Sequence, residues 1–241
     1  MSTDRANASL NDALSVELRR IEAAYAKRAS QIRYSYSDPA HLLTCQDRER
    51  KLLRILADRG HSSLANATIL EVGCGNGAWL RDFVRWGARP ENLWGVDLLS
   101  ARIAEAKMLC PPEVNLQCQD ATHLNMPDAS FDVVLQATVF TSILDQGVKH
   151  LLAQEMLRVV RNNGLILWYD FHMNNPANPD VRGVNREEIR ELFPGCEVSL
   201  KKLTLAPPVG RPVARVSASL WRALSGIKPL CTHYLGTISK I

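Results

Sequence analysis

Two spacings of apolar residues divide this chain. Up to about residue 60 they recur at helical intervals. Leu14, Leu18, Ile21 and Tyr25 fall on one stripe of a helix predicted over Leu10–Ala29, after a polar lead at residues 1–8. Leu52, Leu53, Ile55 and Leu56 belong to a second helix over His41–Asp58, stopped by Gly60. Between them, Ser30–Pro39 breaks the pattern. From residue 67 short apolar runs alternate with helical stretches instead. Strands are predicted at Thr68–Val72, Asn92–Asp97, Val114–Gln119, Phe131–Ala137 and Leu165–Tyr169, with helices at 78–87, 100–109 and 146–161.

Runs such as Val133-Val134-Leu135 and Leu165-Ile166-Leu167 are apolar on both faces, as in a parallel sheet covered by helices. Asn185-Arg186-Glu187-Glu188 reads as a capping box opening a short helix that ends before Pro194. Cys196–Thr204, a helix dotted with arginines at about 212–225, and a last strand at Thr232–Ser239 complete the pattern. The expected organisation is a helical cap or lid over 1–64 and an α/β core over 65–241, with the basic helix inserted in it.

Composition narrows the class. At 241 residues the chain accommodates one α/β domain with a substantial core. No apolar run is long enough to span a bilayer, and the first residues are too polar for a signal peptide, so a cytoplasmic location is expected. The six cysteines are scattered, with no C-x-x-C pair and no Cys/His cluster, which fits reduced thiols and no metal site. The net charge of +4 is mild. Its distribution is uneven, because Ser199–Ile241 contains no Asp or Glu but holds Lys201, Lys202, Arg211, Arg215, Arg222, Lys228 and Lys240.

The densest chemical signal is Glu71-Val72-Gly73-Cys74-Gly75-Asn76-Gly77, placed between a predicted strand and a predicted helix. Such a loop offers backbone N–H groups and a helix N-terminus to a bound cofactor. Read as G-x-G-x-x-A over Gly73, Gly75 and Ala78, it also satisfies a nicotinamide-dinucleotide pattern. Acidic residues at later strand ends separate the two readings. Asp97 ends the second strand, where a carboxylate can accept both hydroxyls of a ribose, and Asp120 ends the third, where it can meet an adenine amino group.

Together, E-x-G-C-G-x-G, G-V-D at Asp97, Q-D-A at Asp120 and F-D-V-V at Phe131 resemble the class I S-adenosylmethionine-dependent methyltransferases over roughly residues 65–172. The resemblance implies a Rossmann-like fold, a seven-stranded mixed sheet with helices on both faces and the last strand inserted antiparallel. It implies S-adenosylmethionine as cofactor, with Gly73, Gly75 and Gly77 on the methionine part, Asp97 and the adjoining Leu98 on the ribose side, and Asp120 with Ala121 on the adenine. Glu71 matches the acid that orients the loop or the cofactor amino group, and Gln136 the position facing the sulfonium. Asp132 is expected to be structural. A nicotinamide-dependent oxidoreductase and a non-catalytic S-adenosylmethionine-binding protein are the rival readings.

Methyl transfer is an in-line displacement that needs a base only where the acceptor must lose a proton. Strand five ends in Trp168-Tyr169-Asp170-Phe171-His172, which makes His172 the candidate base and Asp170 its orienting partner, with Tyr169 and Tyr34 candidate substrate contacts. A weaker resemblance, over the region from Val181 to the last strand, is to methyltransferases of cell-surface glycan synthesis. It implies a small-molecule acceptor, first a hydroxyl of a sugar or glycan intermediate. The stripe Val213, Val216, Leu220 and Leu224 beside Arg211, Arg215 and Arg222 suggests contact with a membrane surface or an anionic acceptor. Nucleic acid fits poorly, since no cluster of stacking aromatics accompanies the bases. The oligomeric state is not legible.

Overall fold

The computed structural model describes residues 14–25, 35–175 and 178–241. A helix at 14–25 (α1) is followed by α2 (Pro39–Asp58), which starts where Asp38 accepts a hydrogen bond from the Ala40 N–H at 3.1 Å and Pro39 occupies the first turn. The core then runs β1 (Ile69–Val72), α3 (Ala78–Arg85), β2 (Leu93–Asp97), α4 (Ser100–Leu109), β3 (Asn115–Cys118), β4 (Phe131–Ala137), α5 (Gln146–Val159) and β5 (Val160–Phe171). It closes with α6 (Arg186–Leu192), β6 (Cys196–Leu205), α7 (Pro207–Val216), α8 (Ala218–Ser225) and β7 (Cys231–Lys240).

The seven strands lie in the order β3-β2-β1-β4-β5-β7-β6. All are parallel except β7, which is inserted antiparallel between β5 and β6. Chain direction along the sheet reverses between β1 and β4, and open α/β sheets leave their ligand crevice at that point. Strand alternation sends Val72, Val134 and Trp168 to one face, against α5 and α6, and Ile69, Leu135 and Leu167 to the other, against α2 and α3. Asp132 is structural: its Oδ2 accepts from Thr68 N and Oγ1 at 2.8 Å each, and Arg161 pairs with it at the start of β4.

Three local expectations change. The basic helix at 212–225 is two helices, because Ser217 is extended (φ −157°, ψ 118°), ending α7 and capping α8 by accepting from Leu220 N. The faces turned inward are therefore Gly210 with Ala214, and Trp221 with Ser225, while Val216 and Leu220 point to solvent. The capping box is only half formed. Asn185 Oδ1 accepts from Glu188 N, but the Glu188 carboxylate turns away to Lys149 Nζ at 2.6 Å. Lys149, on the helix that also carries exposed His150, is fully buried.

Candidate functional site

The glycine loop crosses the crevice with three left-handed residues, Gly73 (φ +67°), Gly75 (φ +54°) and Gly77 (φ +73°), the last serving as N-cap of α3. At Gly73 side-chain space is lacking as well as freedom, since a Cβ would stand 2.5 Å from Val139 Cγ2. Asp97, at the end of β2, braces the loop: its Oδ2 accepts from Gly75 N at 2.8 Å and its Oδ1 from Leu99 N at 2.9 Å. Asp120 Oδ1 accepts from Thr122 N at 2.9 Å in an Asx turn that brings Ala121 to the same crevice.

Except for Gly77, which faces Cys110 and Ala106 and stands off the lining, these groups surround one cavity of about 300 Å³. Gly73, Gly75, Asp97, Leu98, Asp120 and Ala121 all line it, as expected from their strand-end positions. The S-adenosylmethionine fit rests on three features of this cavity. The loop at Gly73 leaves no room for a Cβ, two carboxylates lie at the ends of neighbouring strands, and Gln119 Oε1 in the wall is buried without a hydrogen-bond partner.

Glu71 and Gln136 lie behind the wall rather than in it. Their neighbours Val72 and Ala137 take the lining positions. Gln136 Oε1 accepts from Val139 N, which holds the turn after β4, while its Nε2 has no partner. Glu71 is fully buried with Oε2 unpartnered. Burial, reinforced by Asp97, pushes its carboxyl well above the usual range.

The expected catalytic pair stands off the cavity. Neither Asp170 nor His172 lines the cavity. Asp170 is buried and accepts from Thr141 Oγ1 at 2.6 Å, Thr141 N at 3.2 Å and Phe171 N at 2.9 Å, so it serves the loop after β4 and has no bond to His172. Burial, opposed by those bonds, pushes its pKa up to about 7. His172 Nε2 bonds the Cys231 carbonyl at 2.9 Å and its ring stacks on Tyr234, ties that belong to the β5–β7 seam. Tyr169 is buried too, hydrogen-bonded to Thr204 Oγ1 at 2.9 Å and stacked on His233, whose pKa burial pushes down to about 3. Tyr34 lies outside the described residues, and Tyr36 is exposed with its ring edge-on to His41.

The cover comes from α1. Leu18, Ile21 and Tyr25 line the cavity beside Val139, Ser142 and Ile143, with the Tyr25 and Ser142 hydroxyls 3.4 Å apart. Buried Glu17 accepts from Leu144 N and pairs with Arg20 at 2.8 Å, and Arg20 donates to the Ser142 carbonyl, so α1 is bolted to the loop after β4. The apolar stripe of α1 was legible in the sequence; its target was not. Thr138, with φ +60°, and Arg102 also line the cavity and gave no motif signal.

Gly73→Ala is expected to weaken S-adenosylhomocysteine binding by roughly tenfold or more in titration calorimetry, since a left-handed non-glycine residue costs about 1–2 kcal/mol before any clash. Adding Val139→Ala should restore part of the affinity by removing the contacted methyl. Wild-type affinity in Gly73→Ala would show that the loop does not form this cradle.

Comparison with known proteins agrees with this geometry. Residues 69–164 match the family model described as a methyltransferase domain. The chain is 30% identical to a 2-methyl-6-phytyl-1,4-hydroquinone methyltransferase of Synechocystis over 52% of this chain and 39% of that protein. Among the curated relatives that it matches, the chain spans about a third to a half of their length. An S-adenosylmethionine-dependent methyltransferase from Mesorhizobium loti shares the fold at a TM-score of 0.55 and 14% identity, over 73% of this chain and 91% of that one. The [4+2]-cyclase SpnF shares it at 0.55 and 16%, over 79% and 80%. The glycine loop and strand-end acids thus surround one cavity in a chain that carries a methyltransferase domain over residues 69–164, within a fold shared with an S-adenosylmethionine-dependent methyltransferase.

Proposed function

We propose that this chain methylates a small molecule with an apolar body, and that a quinol-like ring is the leading class of acceptor. The cofactor, when bound, supplies an electrophilic methyl on a sulfonium. Asp97 and Asp120 would hold its ribose and adenine, and the glycine loop its methionine part. α1, fixed by Glu17 and Arg20, would exclude water and hold the acceptor against the loop after β4.

The composition of the wall carries the acceptor reading. The charged side chains lining the cavity are Asp97, Arg102 and Asp120, all on β2, α4 and the turn after β3. The opposite wall, from α1 and the loop after β4, offers Leu18, Ile21, Val139 and Ile143 with the hydroxyls of Tyr25 and Ser142. A glycan would strip water from several hydroxyls against this wall with few partners, at about 1–3 kcal/mol for each group left unpaired. A quinol ring has only two hydroxyls to desolvate and is otherwise hydrocarbon, so the penalty is smaller. Among the described lining residues there is no histidine, so positioning carries the larger share of catalysis, and the proton that a quinol gives up on methylation passes to water. The hydroquinone specificity of the Synechocystis relative supports the same class.

Methyl-labelled cofactor, incubated with the protein and cell extract, is expected to label the organic-solvent fraction. Label confined to water-soluble saccharide would overturn the apolar acceptor in favour of the glycan. Tight binding of NADH with none of S-adenosylhomocysteine would overturn the cofactor role given to Asp97 and Asp120.

A further inference from the structure

The acid-free C-terminal region folds into a surface that the methyl-transfer site does not use. β6 and β5 are both antiparallel to β7 and hence parallel to each other, so Leu205 ends β6 at the sheet edge that carries the glycine loop. α7 and α8 rise from that edge. Their inner side, through Ala214 and Trp221, packs on Leu205 and on Ala40 and Leu43 of α2.

The outer side combines two unusual features. Val216 is 83% exposed and Leu220 48%, on either side of the Ser217 junction, and Ile227 just beyond α8 is 46% exposed. Around them Arg211, Arg215, Arg222 and Lys228 are exposed, and no acidic residue lies between Ser199 and the C-terminus. Among the described residues, Arg211, Arg215 and Arg222 form no salt bridge, whereas Arg20, Arg85, Arg158 and Arg182 each pair with a carboxylate. Solvent-exposed aliphatics in a field of one sign match a phosphate-rich interface with hydrocarbon beneath it.

Nucleic acid offers the phosphates but not the apolar layer, and Trp221, the aromatic residue of α8, is buried and unable to stack on bases. We propose that the α7–α8 face docks on an anionic lipid bilayer, with Val216, Leu220 and Ile227 entering the interface and Arg211, Arg215, Arg222 and Lys228 meeting lipid phosphates. Among the described residues no helix is long and apolar enough to cross a membrane, so this contact is peripheral. It stands independently of the acceptor: the face and the cavity lie at the same ends of the strands, with β7 and β5 between β6 and the strands that line the cavity.

The full chain should co-sediment with phosphatidylcholine vesicles containing one third phosphatidylglycerol, and about tenfold or more less with phosphatidylcholine alone. High salt should reduce binding. Charge reversal in R211E/R215E/R222E should lower partitioning by about 100-fold, at roughly fivefold per basic residue removed near an anionic surface. Leu220→Ser should lower it severalfold while leaving the salt dependence in place. Unchanged S-adenosylhomocysteine affinity in these variants confirms that they fold, and keeps this result separate from the cofactor assignment. Equal binding to both vesicle types, no vesicle binding, or capture of duplex RNA without vesicle binding would each overturn the proposal.

Discussion

Asp97→Ala is expected to bind S-adenosylhomocysteine at least about 100-fold more weakly than the parent chain, measured by calorimetry. The carboxylate has two structural acceptor tasks, Gly75 N at 2.8 Å and Leu99 N at 2.9 Å, and it lines the cavity as well. Removing it leaves the loop amide unanswered and takes away the acceptor offered to the ribose. Hydrogen bonds to a charged group contribute about 1.5–3 kcal/mol each, so two lost bonds correspond to about two to four decades of affinity. Asp97→Asn keeps one acceptor oxygen and should fall between. Asp120→Ala should lose less, because its recorded bond is to its own turn through Thr122 N. Parent-like affinity in Asp97→Ala would remove the ribose assignment.

The largest stability effect is expected at Lys149. Its ammonium is fully buried and lies 2.6 Å from Glu188, which also accepts from Gln146 at 2.9 Å and Arg182 at 3.1 Å, joining α5 to α6. Burial pulls the lysine pKa below its ordinary value, with Glu188 opposing. For Glu188 burial works upward, but the bonds from Lys149, Gln146 and Arg182 outweigh it and leave the carboxyl below its ordinary range. Breaking a buried pair from one side costs about 3–5 kcal/mol, because the remaining charge loses its partner. Lys149→Ala should therefore lower Tm by roughly 6–15 °C for a domain of this size. The double variant K149M/E188L should recover much of that loss in thermal unfolding, since no buried charge is left and Arg182 is partly exposed. A Lys149→Ala melt within a degree or two of the parent would show that this pair does not join the two helices.

Much of the architecture was readable from local rules. The strands and the helices between them follow from apolar spacing, which depends on neighbours in the chain, whereas the seven-stranded sheet with its last strand antiparallel was implied by the family resemblance. Gly73, Gly75, Asp97 and Asp120 were legible for a similar reason. Ligands in such sheets collect at strand ends, and strand ends can be found in a linear sequence.

The strand-end side chains that stand off the cavity share a physical cause. Asp170, His172 and Tyr169 stand at a strand end as well, yet each side chain is taken up by a distant partner: Thr141, the Cys231 carbonyl and Thr204. Lys149 has its partner only because α6 brings Glu188 over it, and the same contact took the glutamate out of its capping box. The α1 stripe was visible, but its place over the cavity depends on Glu17 reaching Leu144 across more than a hundred residues. Spacing in the chain thus established which elements form and where the glycine loop and its acids lie. Which strand-end side chains face the cavity, and which are consumed in holding the walls together, was settled by long-range pairing, because a buried polar group goes to whichever partner the packed fold places beside it.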